Sequence, residues 1–208
     1  MKQPASPSQS LPRGIRFAAF VCLVLSAFTG FFALRESMNL GRLSELKEAG
    51  DSQPAFVTSL LEAQISALEP MRESRALILG ALSVACALSF VAAGRMLRPE
   101  GLPLERMRRM LGGAAISAAL LRTIDGAQEA VVARRMAPAI IEAMKTLPEL
   151  QGQAIEQFQA VPWLFSASTV GLTAFVAGTF ALLGQYFRSE RVRQAIIAQD
   201  GDFAEEED

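Results

Sequence analysis

The chain has 208 residues, of which 51% are hydrophobic and 20% are charged, and its formal net charge is −1. This near-neutral balance excludes the basic field of a typical nucleic-acid-binding protein, so we expect no nucleic-acid partner. The sequence contains no His, which removes the commonest general base and the commonest metal ligand. Charge-free apolar runs alternate with segments rich in Arg and Glu, whereas soluble helices mix both to keep one face wet. This segregation predicts an all-α integral membrane protein, a bundle of transmembrane helices.

Three segments are long enough for a transmembrane helix, which needs about 20 apolar residues to cross about 30 Å of hydrocarbon. They are residues 17–34, 76–94 and 161–187. Basic residues precede the first segment, as they do in a signal peptide. However, its apolar run exceeds the roughly 7–15 residues of such a signal, and it offers no small-x-small cleavage site. We therefore predict that 17–34 is an uncleaved first span.

The last span carries two aromatic residues that can mark its depth. Trp163, the only Trp, and Tyr186, the only Tyr, lie near its two ends. At about 1.5 Å per residue they are about 35 Å apart, which is close to the separation of the two membrane interfaces where such rings settle. We predict that both are interfacial anchors.

A fourth candidate span, residues 110–132, is marginal because it contains Arg122, Asp125 and Glu129. Each charge at mid-membrane costs about 2.5–3.5 kcal/mol on insertion scales, so an amphipathic helix on the membrane surface is the alternative. Four spans place the segments richest in Lys and Arg on the cytoplasmic side, whereas three spans leave almost no bias. We therefore favour four spans over three, with a cytoplasmic N-terminus.

Four spans divide the rest of the chain into inside and outside segments. Inside lie a disordered N-terminus (1–16), a basic loop (95–109) and an acidic tail (188–208), whose last residues, Asp200 to Asp208, we expect to form a solvated, flexible end. Outside lie residues 35–75 and 133–160. In 35–75, apolar residues at helical spacing predict a helix from Val57 to Leu68 that ends at Pro70, and Leu40, Leu43 and Leu46 suggest a shorter one before it.

The second outer segment resembles the first. Ile140, Ile141, Met144 and Leu147 precede Pro148 and predict another short amphipathic helix. The apolar faces of such helices need a partner, which can be the other outer helix, the membrane interface or another protein.

Small residues predict which faces of the spans meet, because helices in lipid associate through close backbone approach. The predicted faces are Ala19, Cys22, Ser26, Gly30 and Ala33 in the first span; Ala81, Ala85, Ser89 and Ala93 in the second; Gly112, Ala115, Ala119, Arg122, Gly126 and Glu129 in 110–132; and Ala167, Gly171, Ala174, Gly178 and Ala181 in the last. Cys22 and Cys86 lie within apolar runs, and we interpret both as small packing residues rather than as a disulfide.

The charges of 110–132 continue its small-residue face. Arg122 and Asp125 are three residues apart and Asp125 and Glu129 are four apart, so all three side chains can cluster. Such a cluster could form part of an ion or proton path or couple two subunits. The structural interpretations, a self-satisfied cluster that fixes helix register or a surface helix, are favoured.

We find no catalytic, cofactor-binding or metal-binding pattern in the sequence, and we expect no enzyme, no cofactor and no small-molecule substrate. Serine hydrolysis within the membrane, for example, usually needs His or Lys beside the Ser, and the spans offer neither. The leading hypothesis is a multi-pass protein of the cell membrane (the inner membrane of a Gram-negative cell) that acts through protein contacts as a subunit, scaffold or regulator. Its partners would be the lipid bilayer and either itself or another membrane protein. The alternative is a component of a small transporter or channel that uses Arg122, Asp125 and Glu129.

Overall fold

A computed structural model describes residues 11–43, 55–98, 104–145 and 160–205. Within these ranges every regular element is a helix, which confirms the all-α class. The elements are α1 (Arg13–Gly41), α2 (Ala55–Leu68) with a 3-10 turn at Glu69–Met71, α3 (Arg72–Leu97), α4 (Leu104–Lys145), α5 (Ala160–Arg188) and α6 (Glu190–Glu205).

Three helical segments are long and apolar enough to cross a membrane, namely Arg13–Gly41, Val57–Leu97 and Trp163–Arg188. The first two contain the predicted segments 17–34 and 76–94, and the third overlaps the predicted segment 161–187 from Trp163 onward. The marginal segment 110–132 is not among them, and it forms the middle of the continuous helix α4.

Helices α1 and α3 pack on each other through the face that the small residues of α1 predict. Ala19, Cys22, Ser26 and Ala33 are buried. At Gly30 an added Cβ would lie 2.9 Å from the Cys86 Cβ, so only glycine allows this close approach. Cys22 and Cys86 are both buried and free of a disulfide.

The predicted face of α3 is present in part. Ala85, Ser89 and Ala93 are buried, whereas Ala81 is exposed. The prediction of this face is therefore correct at Ala85, Ser89 and Ala93 and wrong at Ala81.

Helix α4 occupies the centre of the fold, because it packs on α3 along one side and on α5 along another. Its small-residue face is buried where α5 approaches. A Cβ added at Gly184 of α5 would lie 2.6 Å from Ile116 Cγ1 and 3.1 Å from the carbonyl oxygen of Gly112. The two backbones therefore meet at a pair of glycines, the packing that small residues permit.

The predicted contact face of α5 is not the face that packs within the chain. Ala167, Gly171, Ala174 and Gly178 are exposed, and Ala181 alone of the five is partly buried against the core. The face that packs on the bundle consists of Thr173, Ala177, Phe180, Gly184 and Phe187. Because α4 presents mainly small residues to α5, the complementary face of α5 can carry large rings, and these fill the interface.

Two predicted outer elements take a different form. Helix α1 does not end near residue 34 but continues to Gly41, so Leu40 belongs to α1 and not to a separate helix. The Arg72 side chain satisfies the end of α1, since its Nε donates to the Leu40 carbonyl (2.8 Å) and its Nη2 to the Gly41 carbonyl (2.9 Å). Likewise the predicted helix around Ile140 is the end of α4. Leu46 and Leu147 lie outside the described residues.

Helix α2 lies where the spacing of Val57, Leu61, Ile65 and Leu68 predicts a helix, and it packs on the C-terminal half of α4. Its last turn is buried at Ala67 and Leu68, and Arg135 Nη1 of α4 donates to the Ala67 carbonyl at 3.4 Å. In this structure the apolar face of α2 therefore has α4 as its partner.

The segment after α5 is not a wholly solvated tail. Helix α6 begins directly after Ser189, and Val192, Ile196 and Gln199 are buried. These positions are separated by four and three residues, an amphipathic pattern that the acidic composition of the tail concealed.

Candidate functional site: a charged cluster shared by three helices

One face of α4 carries the three charged residues that the sequence singles out. Arg122 Nη1 donates to Asp125 Oδ2, and the Arg122 guanidinium lies 3.3 Å and 3.4 Å from the two Glu129 carboxylate oxygens. The spacing of three and four residues brings the side chains together on consecutive helical turns. The predicted trio is therefore a real contact group.

Two residues from other helices join this trio. Arg75 of α3 donates from Nη2 to Glu36 Oε1 of α1 at 2.7 Å. The same nitrogen lies 3.4 Å from Asp125 Oδ1 and 3.4 Å from Glu129 Oε1. Arg75 thus connects α1, α3 and α4 through a single guanidinium group. We call these five residues the charged cluster.

Sequence reasoning missed Glu36 and Arg75 because it assigned both to an outer segment. A signal was nevertheless present in the pattern. Glu36 follows Ala33 by three residues, and Arg75 precedes the buried Leu79 by four, so each charge extends a buried helical face by one turn.

The charged cluster is most enclosed at its centre. Arg75 is 2% exposed and Asp125 is 1% exposed, while the side chain of Glu36 is 45% exposed. Three carboxylates face two guanidinium groups, which leaves a formal charge of −1. Asp125 Oδ1 accepts no hydrogen bond from the described residues, and the nearby Arg75 Nη2 is its charge partner.

A cavity of about 280 Å³ opens beside the charged cluster, between α1 and α5. Its polar wall contains Glu36, Arg122, Asp125 and Glu129, and Arg75 is not part of the lining. The remaining wall is almost entirely apolar and includes Leu25, Phe28, Leu79, Leu82, Leu172 and Val176. We call this space the lower cavity.

A second cavity, of about 360 Å³, lies between α1 and α2 and shares Phe32 and Glu36 with the lower cavity. Its polar lining includes Arg35, Asn39 and Gln64. We call it the upper cavity. Glu36, the most exposed carboxylate of the charged cluster, lines both cavities, so the two cavities adjoin at this residue.

Between the charged cluster and Arg108, near the other end of α4, the described core contains no buried charged side chain. Its only buried ionisable groups there are the thiols of the two cysteines. The intervening buried positions of α1 and α3 are occupied by small or apolar residues. They include Cys22, Ser26, Leu82, Cys86 and Ser89. The charges of the cluster are therefore separated from the opposite end of the bundle by a tightly packed section.

At that opposite end, Arg108 joins α4 to α5. Its Nη1 donates to the Phe187 carbonyl at 2.6 Å, and its Nε and Nη2 donate to the Glu105 carboxylate at 2.6 Å and 2.8 Å. These hydrogen bonds, with another from Arg109, lower the pKa of Glu105 from 4.5 to about 2. The ion pair with Glu105 raises the pKa of Arg108. This group fixes the C-terminal end of α5 against α4.

The two predicted anchors lie at opposite ends of α5. Trp163 is 69% exposed in the first turns of the helix. Tyr186, in the last turns, is partly exposed, and its ring packs edge-to-face on Phe187 with centroids 5.5 Å apart. Their positions at the two ends of the helix are those that the sequence predicts.

The chemistry open to this site follows from its side chains alone, because no family model, curated protein or solved structure matches the chain. Among the described residues, no group of three or more metal-ligating side chains is arranged to hold a metal ion. Carboxylates and guanidinium groups in this arrangement can lock helices together or bind a charged group that enters the cavity.

Proposed function

We propose that the chain is a four-span protein of the cell membrane, with a cytoplasmic N-terminus, that acts through protein contacts as a subunit, scaffold or regulator. In this proposal the charged cluster is a structural lock between helices. The observation that carries the proposal is that the cluster pairs its charges across α1, α3 and α4 while the core beside it contains no further charge.

The position of α4 supports a fourth span. Two candidate spans, α3 and α5, pack on different sides of α4, and the part of α4 between Arg108 and Asp125 extends about 26 Å. A helix lying on a membrane surface would bury one face and leave the opposite one in water. Here the charges of α4 face other helices, which is the arrangement that makes a charged segment tolerable in a membrane.

The packed core favours a structural role over a transport pathway. A pathway through one chain would need polar groups between the charged cluster and the Arg108 end. Instead, that section contains small and apolar side chains in close contact. A transport role would therefore require a path formed between several copies of the chain.

The exposed small-residue face of α5 is where we expect a partner helix to pack. A Cβ built at Gly171 or at Gly178 meets no atom within 4 Å, so this face is open along its length. Small residues at spacings of three and four allow a second helix to approach closely. The partner would be another membrane protein or a second copy of the chain.

Substitution of Arg122 by Leu tests the structural role against the pathway. If the charged cluster is a lock, the Arg122→Leu variant loses abundance and assembly in membranes. If it is a pathway, the variant accumulates normally and only flux is lost. Arg134→Leu, an exposed position on the same helix, is the matched control and should leave both unchanged.

Reporter fusions at Asp208 test the span count independently. A bright green fluorescent protein fusion with an inactive alkaline phosphatase fusion indicates an even number of spans, as proposed. The reverse result would place α4 on the cytoplasmic side and refute the four-span topology.

A further inference from the structure

The lower cavity has a negative polar wall. Three carboxylates line it, together with the single guanidinium group of Arg122, since Arg75 is buried behind the wall. A group that enters beside these carboxylates is favoured if it is a cation with hydrogen-bond donors, because carboxylates accept charge-assisted hydrogen bonds. A primary ammonium group meets both requirements, whereas a quaternary ammonium group carries the charge without donors.

The upper cavity adds the opposite charge. Arg35 lines it next to Glu36, so the two cavities together are lined by two arginines, Arg35 and Arg122, and by three carboxylates. A zwitterion offers an opposite charge to both kinds of side chain, whereas a simple cation offers none to Arg35. Its ammonium group would lie at Glu36 and Glu129, and its anionic group at Arg35.

The apolar part of the lower cavity lies on the side of the charged cluster that faces the bundle core. Within the lower cavity the wall changes from apolar to polar along α1, since Leu25 and Phe28 line one end and Glu36 lines the other; the upper cavity mixes Arg35 and Asn39 with the apolar Leu40 and Leu43. Phe28 and Leu172 at the opening are largely exposed. A ligand that fits this gradient has a zwitterionic head and a hydrocarbon tail.

We propose that these two cavities form a binding site for a membrane phospholipid whose headgroup carries a primary ammonium, that is, a phosphatidylethanolamine. The lipid's ammonium group binds the carboxylates of the charged cluster, its phosphate binds Arg35, and an acyl chain occupies the apolar cleft between α1 and α5. This inference rests on the membrane location in the proposed function.

Contacts for the headgroup and contacts for the tail lie at different levels along α1, as a lipid in a leaflet requires. The proposed phosphate contact, Arg35, and the proposed ammonium contact, Glu36, are adjacent residues that both line the upper cavity, so one headgroup can reach both. Headgroup contacts are therefore at the charged end of the helices and tail contacts at the apolar part. A water-soluble zwitterion would leave the apolar cleft unfilled.

Native mass spectrometry of the purified full chain tests the proposal. The protein is equilibrated in micelles that contain equal amounts of phosphatidylethanolamine, phosphatidylcholine and phosphatidylglycerol, and the retained lipid is identified by mass. We expect phosphatidylethanolamine to be enriched over phosphatidylglycerol about tenfold, the factor given by one charge-assisted hydrogen bond. Equal retention of the three lipids overturns the proposal, and retention of phosphatidylcholine as strong as that of phosphatidylethanolamine overturns the assignment to a primary ammonium.

Matched variants locate the site. Glu36→Gln and Glu129→Gln should each reduce the enrichment, while Glu73→Gln, an exposed carboxylate that lines neither cavity, should keep it. Leu172→Trp leaves all charges in place and fills the cleft from its exposed side, so it should reduce lipid retention in a protein that still folds. An enrichment that survives Leu172→Trp and both glutamate variants overturns the site.

Failure of this proposal and failure of the proposed function give different results. If the lipid is not selected but the chain still sediments with membranes and shows an even number of spans, only the lipid site is wrong. If the chain does not sediment with membranes, the proposed function itself is wrong.

Discussion

Replacement of Arg75 by Met removes a guanidinium group that contacts α1 and α4 at once. Arg75 is 2% exposed, so the methionine side chain remains buried, while Glu36, Asp125 and Glu129 lose a shared partner. Asp125 is the most affected because it is 1% exposed and keeps only Arg122. The charge of the cluster changes from −1 to −2. We expect a large loss of stability and a weaker attachment of α1 to α4.

The magnitude follows from the burial of the pair. Removing one partner of a buried ion pair typically costs about 3–5 kcal/mol, because the other charge stays buried without compensation. For a chain of this size, about 1 kcal/mol shifts the melting temperature by about 2–4 °C. The assay heats the detergent-solubilised protein and records the temperature at which half of its size-exclusion peak is lost. We expect Arg75→Met to lower this midpoint temperature by about 6–20 °C. Arg134→Met, exposed on α4, is the control and should stay within about 2 °C of the unmodified chain.

The double variant Arg75→Met, Asp125→Leu distinguishes a lost ion pair from a lost side-chain volume. A buried pair replaced by apolar residues is often tolerated, so the double variant should recover part of the loss. Two results would refute the reasoning. One is a single variant as stable as the control, and the other is a double variant whose loss equals the sum of the two single losses.

Two further predictions concern other contacts of α4. Gly184→Ala should destabilise the α4–α5 interface by about 1–3 kcal/mol, because the new Cβ meets Ile116 and the Gly112 carbonyl. Gly113→Ala, in open space on α4, should stabilise the helix by about 0.5–1 kcal/mol. A Gly184→Ala variant that melts no lower than the unmodified chain, or a Gly113→Ala variant that melts lower, would contradict the packing. The pKa of Glu105 is lowered to about 2, so its ion pairs stabilise the folded chain above pH 4.5 and this contribution is lost as the pH falls from 4.5 towards 2. The carboxylate is partly exposed, so we expect a contribution on the order of 1 kcal/mol after solvent screening. Glu105→Gln should therefore melt lower than the unmodified chain at pH 7 and nearly with it at pH 2.

Hydropathy predicts α1, α3 and α5, which contain the three charge-free runs, but it rates the central segment of α4, the longest described helix, as marginal. Spacing also predicts which residues of α1 and α4 are buried, and it predicts the contact of Arg122 with Asp125 and Glu129. These features depend only on residues of one helix. The helical periods of 3.6 residues and the length of an apolar run are properties that a single segment carries in its own sequence.

Features that depend on a second helix could not be predicted in the same way. The charges of Glu36 and Arg75 end the apolar runs, so hydropathy assigned them to an outer segment although their helices continue. The buried face of α5 was wrong because large rings, such as Phe180, fit a partner that offers small residues, and the sequence of α5 does not contain that partner. Helix α6 was missed because the segment 188–208 was interpreted from its acidic composition as a whole. The helical spacing of its three buried residues does not appear in an average composition.

The charged cluster also sets the depth of α5 relative to its neighbours. Gly126 of α4 faces Thr173 of α5, so Thr173 lies at the level of the cluster, and Trp163 lies about 15 Å farther along α5. At the same level, α1 and α3 already carry charges and the exposed Glu73. If Trp163 marked the membrane interface, these charges would lie about 15 Å deep in hydrocarbon without water. In the proposed membrane, the cluster therefore lies near the outer interface, and the first turns of α5 extend beyond it.

Those first turns are apolar and exposed within one chain, so they need a covering surface outside the bilayer. The proposed protein partner supplies one. A membrane-impermeant maleimide tests this, because both native cysteines are buried and a new one can be labelled alone. We expect Ser74→Cys, at the exposed end of α3, to be labelled in native membranes, and Ser168→Cys to be labelled only after purification in detergent. If Ser168→Cys is labelled equally in both states, no partner covers α5. If Ser74→Cys is never labelled before the membrane is dissolved, the cluster is deep and Trp163 is the interfacial residue after all.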